Sequence, residues 1–299
     1  MSETQNEITV ATRTRNRPNC LERVLNGLLA QNFRRFEWVV LNDGGEQSSV
    51  DAVTKRARRE GVDVTVIHND QPAGRGAAAN QAVRAGSAPL VLLHDDDDRI
   101  KPDYLARTSD FLKTNPAYSG VVTQIEAVIE SPDLEEQRRW VLEPYLYTLR
   151  LVDMAERNLF APIGFLYRRK AFEAAGGYDE DVPVLEDWVF NLKLMMKGDV
   201  GVVPEVLAEY FWRSSIDVKD PISNTVVAGR SDHLDYDAII RNRFLRADLD
   251  AGCTGLGWLL NPPNRLAAAR INEAVTSINR LRNYGRSTLR SLTRLFGQR

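Results

Sequence analysis

Cysteine is scarce in this chain, at two of 299 residues. Cys20 and Cys253 are too few and too far apart for a disulfide scaffold or a cysteine metal site, and a reducing cytosol fits best. Missing too is any apolar run near the roughly 20 residues that cross a bilayer. Met1 to Glu7 is polar and has no signal-peptide core. Neither Gly-x-Gly-x-x-Gly nor Gly-x-x-x-x-Gly-Lys-Ser/Thr follows the first predicted strand, which disfavours dinucleotide- and P-loop-type phosphate binding. Gly74-Arg75-Gly76 is too short to count and reads as a turn. Internal repeats are absent, and the one low-complexity tract is a run of aspartates. The expectation is a cytoplasmic protein, at most attached to the inner face of a membrane.

What is present is ordinary in amount and uneven in place. Hydrophobic residues make up 43% and charged residues 27%, as in soluble globular domains. Net charge is −2, yet residues 261–299 carry eight arginines against one glutamate, which leaves −9 on residues 1–260. An acidic body therefore precedes a basic tail. Nucleic-acid binding fits poorly, because no recognised module is present and the body is acidic.

The apolar runs Ile8–Ala11, Phe36–Leu41, Val62–His68 and Leu90–Leu93 read as strands. Between them, Leu21 to Leu29 (with Asn19 as N-cap), Ser48 to Glu60 and Ala77 to Ala85 read as helices. Near-continuous apolar strands alternating with helices predict an α/β fold, with a mostly parallel sheet covered on both faces. In such sheets ligands bind beyond the carboxyl ends of the strands. Here those ends are Thr12–Pro18, Asn42–Gly45, His68–Gly76 and His94–Asp98.

Further on, Pro102 opens a helix to Asn115, and Gly120 to Ile129 resumes strand character. Ser131 to Asn158 reads as polar and helical. Ile163 to Tyr167 is a candidate strand, Arg169 to Ala175 a short helix ending at Gly176-Gly177, and Glu186 leads a helix to Lys197. Val200–Val203 and Leu207–Trp212 read as closing strands, Ser214–Gly229 as a loop and Asp235–Leu249 as a helix. This divides the chain into a core over residues 1–213, an associated loop and helix over 214–260, and a basic amphipathic tail over 261–299.

Asp95-Asp96-Asp97-Asp98 follows the fourth strand at once. Adjacent unit charges repel by roughly 1 kcal/mol per pair at 4 Å even in bulk water. Solvation, protonation or a cation among them relieves that cost. One reading is a polar loop that caps the next helix. The other is a site for Mg²⁺ or Mn²⁺, which prefer carboxylate and phosphate oxygens and thus bridge acids to a diphosphate.

Five segments in order decide how the run is read. Thr12–Pro18 with its helix, Phe36–Gly45, Gly74–Asn80, Leu90 to Pro102-Asp103, and Gly176-Gly177-Tyr178-Asp179 through Glu186-Asp187-Trp188 together resemble family 2 inverting glycosyltransferases of the GT-A fold. The resemblance spans roughly residues 8 to 213. It implies transfer of a sugar from a nucleotide-diphosphate donor to a glycan or lipid-linked acceptor, in the setting of bacterial surface polysaccharide such as O-antigen or capsule. It also implies residue roles. Thr12, Arg13, Thr14 and Arg17 lie against the donor, Asp43 meets the base, and Asn80, Asp95 and Asp96 complete the donor site. Asp97, with Asp96, holds Mn²⁺ or Mg²⁺, and Asp187 is the catalytic base. Asp98 only starts the next loop.

The sequence departs from the family in two places. Arg13-Thr14-Arg15-Asn16 stands where Pro-Thr-Tyr-Asn is more usual, and Ala79 where an arginine is common, with Arg75 as a substitute. Blander readings stay open beside these roles. Asp43 also suits a plain turn, and Glu186-Asp187 a helix N-terminus. Trp188 and Phe190 read as core; Trp212-Arg213 and His233 are either site contacts or ordinary edge and surface residues. Alternatives for the whole protein are a nucleotidyltransferase, or a non-catalytic nucleotide-sugar-binding scaffold. The tail has three readings: binding to anionic lipid, packing on a partner helix, or a solvated face.

Overall fold

In the computed structural model, which describes residues 5–131, 135–213 and 230–261, the first strand sets the frame. β1 (Ile8–Thr14) is buried at every residue. It lies between β2 (Phe36–Asp43) and β4 (Leu90–Leu93), parallel to both, and β3 (Asp63–Asn69) extends the sheet beyond β2. Val10, Trp38, Val39, Leu92 and their neighbours are fully buried, because strands apolar on both faces need cover on both. Helices α1 (Pro18–Leu29), α2 (Gln47–Arg59), α3 (Arg75–Ala85) and α4 (Tyr104–Thr114) follow these strands in turn. Helix α1 starts with proline in its first turn and Arg17 at the N-cap, two residues earlier than the expected Asn19.

Past β4 the sheet changes character. Its order is β3-β2-β1-β4-β8-β6-β9-β5, with β7 beside β6. β8 (Phe165–Arg168) runs antiparallel to β4 and to β6 (Gly120–Glu130), whereas β6 and β9 (Val200–Arg213) are parallel. The parallel expectation thus holds for β3-β2-β1-β4 and for β6-β9, and the remaining pairs are antiparallel. The two expected closing strands are one: a register shift in β6 at Thr123–Ile125 takes up Pro204, and pairing resumes beyond it. Proline is tolerated in a sheet at such a bulge.

The expected helical character of 131–158 is overturned. β7 (Glu136–Val141) pairs antiparallel with β6, and among the described residues of this stretch only α5 (Leu151–Glu156) is helical. Arg139 of β7 ties the ladder across, reaching Glu126 at 3.0 Å and Glu209 at 3.0 Å. Those cross-strand pairs, which no local pattern reports, outweigh the helical composition. β5 (Arg99–Ile100) is only two residues long, and pairs with Glu209 and Ala208 directly after the acidic run.

α6 (Arg169–Ala175) and α7 (Glu186–Met195) carry the last site segment. Asn80, 1% exposed, staples α3 to the chain before α7. Its Oδ1 accepts from Tyr178 N at 2.9 Å, and its Nδ2 donates to Tyr178 O and Glu180 Oε1, both at 2.9 Å. Gly177 permits this approach: its φ is +75°, and a Cβ there would sit 2.6 Å from Asn80 Oδ1.

The chain divides into two compact units, Met1–Ile240 and Arg241–Arg299. The boundary falls inside α8 (Arg230–Asp250). Within the second unit, Asp248 Oδ2 accepts from the N–H groups of Gly255 and Trp258, both at 2.9 Å, and so caps α9 (Leu256–Leu260). No helix among the described residues is long and apolar enough to cross a membrane. The predicted loop at 214–229 and most of the basic tail, from 262 onward, lie outside the described residues.

Asn80→Ala strands the Tyr178 amide and carbonyl in the core. Each stranded buried group costs about 1–3 kcal/mol, so urea unfolding is expected to show a loss of at least about 2 kcal/mol. Wild-type stability would mean that Asn80 is not the staple.

Candidate active site

Because β1, β2, β3 and β4 are parallel, their carboxyl ends share one edge, and a cavity of about 900 Å³ opens there. Arg13 to Arg17, Asp43, Gly74-Arg75, Asp95 to Asp97 and Leu185 to Asp187 line it. Of the predicted site residues, only Thr12 and Asn80 are absent from its wall. Thr12 points into the core and accepts from Trp38 Nε1 at 2.9 Å. The Trp38 bond holds Thr12 off the cavity wall, as the staple holds Asn80.

The four aspartates have four different environments. Asp95 accepts from Arg13 Nε at 2.7 Å and Nη2 at 3.1 Å. Burial acts to raise its carboxyl, but the Arg13 guanidinium outweighs it and holds the group at about 2. Asp96 accepts from Thr14 Oγ1 at 2.7 Å and Arg17 Nη1 at 3.1 Å. Burial pushes it up to about 6, with Arg17 opposing and Asp97 adding to the rise. Asp97 Oδ2 lies 3.3 Å from Arg17 Nη1 and 3.3 Å from Arg213 Nη1.

Asp98 does more than start a loop. It is fully buried, and its Oδ1 accepts from Phe211 N at 3.1 Å, which pins the acidic run to β9. Burial, with Asp97 and Asp95 beside it, pushes its carboxyl well above the usual carboxylate range. Both effects favour its protonated form. His94 is also buried; burial lowers it to about 4, so the neutral ring donates from Nδ1 to Asp95 O at 2.8 Å.

Arg13 is not a free donor contact. Its guanidinium gives Nε to Asp95, Nη1 to Arg75 O at 2.7 Å and Nη2 to Asp95, and Nη2 also forms an ion pair with Glu186 Oε1 at 2.9 Å. Asp43 is likewise engaged: it accepts from Ala73 N at 2.7 Å, Gly74 N at 3.2 Å and Asn69 Nδ2 at 3.1 Å. The turn reading of Asp43 is therefore present in the geometry, on the cavity wall. Thr14, Arg17, Asp96 and Asp97 come together as one cluster.

Opposing chemistry comes from the start of α7. Leu185 has φ +65°, a left-handed conformation that leucine rarely adopts, and it turns the chain so that Glu186 and Asp187 open the helix. Such a residue costs of order 1–3 kcal/mol and persists where its surroundings over-determine it. Asn16, at φ +55°, is the other non-glycine residue of this kind among those described, and it too lines the cavity. Asp187 accepts from Asn158 Nδ2 at 2.9 Å and from Trp188 N at 2.8 Å. Burial first, then the charge of Glu186, push its carboxyl up to about 6, against Arg75 and Arg13.

Glu186, Asn158 and Tyr210 were not singled out as contributors from the sequence. Glu186 was hidden by its suitability for a helix N-terminus, and nothing local marks Asn158 or Tyr210. Trp212 and His233 line the cavity, whereas Arg213 is fully buried behind it, on Asp97.

The donor atoms at the acidic end are all oxygen, the set a hard divalent cation takes. Among the described residues no three His, Cys, Asp or Glu side chains form a cage. None is needed for Mg²⁺ or Mn²⁺ held by one or two carboxylates and substrate phosphates. On that basis the residues fit such an ion, with Asp97 first.

Known proteins resemble this chain in sequence and in fold. The curated relative YwdF of Bacillus subtilis, described as an uncharacterized glycosyltransferase, is 27% identical over 77% of this chain and 82% of its own. The amylovoran biosynthesis glycosyltransferase AmsE of Erwinia amylovora is 24% identical over 67% of this chain and 73% of its own. Among solved structures, TarS 1-349 of S. aureus in complex with UDP matches with a TM-score of 0.60 at 18% identity. That match covers 80% of this chain and 65% of the TarS fragment. The mannosyltransferase PcManGT of Pyrobaculum calidifontis, in complex with GDP-Man and Mn²⁺, matches with a TM-score of 0.55 at 16% identity, over 94% and 83%. The fold is that of the GT-A enzymes, and since glycosyl transferase family 2 matches residues 9–176, the chain belongs to that family.

Proposed function

We propose that this glycosyltransferase carries out an inverting transfer of a sugar from a nucleoside-diphosphate donor to a hydroxyl of a glycan or lipid-linked acceptor. One observation carries the reading: a half-buried carboxylate, Asp187, stands on the wall of the same cavity as the acidic run, held by Asn158 and pushed up to about 6. A base with a pKa near the working pH removes a proton most effectively.

In this reading the acceptor oxygen attacks the anomeric carbon as the bond to the diphosphate breaks. The bonding electrons leave with the diphosphate, and the acceptor's proton passes to Asp187. Thr14, Arg17 and Asp96 line the donor's nucleotide and diphosphate, and Asp43 lies where the base would approach. Asp97, with Asp96, would hold Mg²⁺ or Mn²⁺, which offsets the charge of the departing diphosphate. The complex of PcManGT with GDP-Man and Mn²⁺ supports the use of a divalent ion. AmsE supports a setting in polysaccharide assembly. Family membership sets aside the nucleotidyltransferase alternative.

The test is a panel of nucleotide sugars with Mn²⁺ or Mg²⁺, read as transfer and as donor binding by calorimetry. Asp187→Asn is expected to lose about 10²- to 10⁴-fold in kcat while still binding donor. Asp97→Ala is expected to lose metal-dependent donor binding. Transfer by Asp187→Asn at the wild-type rate would sink the base assignment.

A pH profile supplies a second check. The base works only unprotonated, so kcat should rise with pH, level off above about 6, and fall tenfold per unit below it. A flat profile from pH 5 to 7 would contradict the assignment.

A further inference from the structure

Four charged side chains close a ring at the floor of the cavity. Arg13 Nε lies 2.7 Å from Asp95, Arg13 Nη2 2.9 Å from Glu186, Arg75 Nε 3.0 Å from Glu186, and Arg75 Nη2 3.8 Å from Asp95. They come from four separate places: the end of β1, the start of α3, the loop after β4 and the start of α7. Glu186 is 2% exposed and Arg13 8%. With Arg75 and Asp95 partly open to solvent, such an ion ring is a poor device for stability, since well-packed apolar residues often do as well. What it does well is permit one arrangement only.

We infer that Glu186 is a positioning residue for the transfer: gripped by Arg13 and Arg75, it fixes the first turn of α7 against the acidic loop, so that Asp187 meets a donor held on that loop. The inference rests on Asp187 as the base. Successive helical residues point about 100° apart at 3.6 residues per turn. Fixing Glu186 therefore fixes the direction of its neighbour. The left-handed Leu185 immediately before leaves the turn little freedom to compensate.

The ring also sets the charge around Asp187. Glu186 raises its carboxyl, whereas Arg75 and Arg13 lower it. From other elements, Tyr210 of β9 and Tyr178 face it as neutral phenols, both held well above their usual range by burial. Removing Glu186 or Arg75 must then displace the acid limb of the rate profile in opposite directions, which damage to the fold alone does not do.

The experiment compares kcat against pH for wild type, Glu186→Gln and Arg75→Gln, with Asp187→Asn as reference and circular dichroism to verify folding. In Glu186→Gln the limb should move to lower pH, and kcat should fall by about 10²-fold, the cost of a misplacement of about 1 Å. In Arg75→Gln the limb should move to higher pH. Glu186→Asp keeps the charge but shortens the reach, so its limb should stay near wild type while kcat falls. If Glu186→Gln does not fold, the Arg75→Gln and Glu186→Asp results decide. An unmoved limb with wild-type kcat in the folded variants, while Asp187→Asn is inactive, overturns the positioning role alone. An active Asp187→Asn overturns the base assignment instead.

Discussion

Negative charge that the chain itself has buried governs everything at this edge of the sheet. Two unit charges 4 Å apart cost about 4 kcal/mol at an effective dielectric of 20, and four adjacent aspartates enter a space with little water. Each is reconciled locally. Asp95 keeps its charge because Arg13 lies 2.7 Å away. Asp98, whose burial favours the protonated form, fastens the run to the β9 backbone. Asp96 and Asp97 share Arg17, and Arg213 supports Asp97 from behind. The result is a loop whose charge is countered on several sides and which is still rich in oxygen toward the cavity.

The same logic reaches the opposite wall. Glu186 would be untenable at 2% exposure without Arg13 and Arg75, and those two arginines also serve Asp95. The acidic loop and the helix bearing the proposed base are thus parts of one electrostatic assembly, although about 90 residues separate them in sequence. The left-handed backbone at Asn16 and Leu185 shows where that assembly constrains the chain most. Both are local costs, offset by contacts elsewhere.

Much of this was legible in the sequence, for physical reasons. The four parallel strands are near-continuous apolar runs, so their boundaries emerged within three residues, and with them the edge where Asp43 and the aspartates lie. The region from 131 to 158 was not legible. Its strand β7 is held by partners on β6 and β9, such as Glu126 and Glu209 for Arg139, and pairing between distant segments leaves no local period. The buried positions of Thr12 and Asn80 were hidden for a related reason: the Trp38 indole holds Thr12 in the core, and three hydrogen bonds capture Asn80. The distinction among the four aspartates was equally hidden, since it depends on guanidinium groups and backbone brought from other elements.

The central claim is a single displacement, with one carboxylate taking the acceptor's proton while the diphosphate departs. Its stereochemical outcome is the most direct test. The proton NMR spectrum of the product, formed from a donor of known anomeric configuration and recorded early in the reaction, reports the coupling at the new anomeric centre. Inverted configuration is the result this account predicts; retained configuration would contradict it.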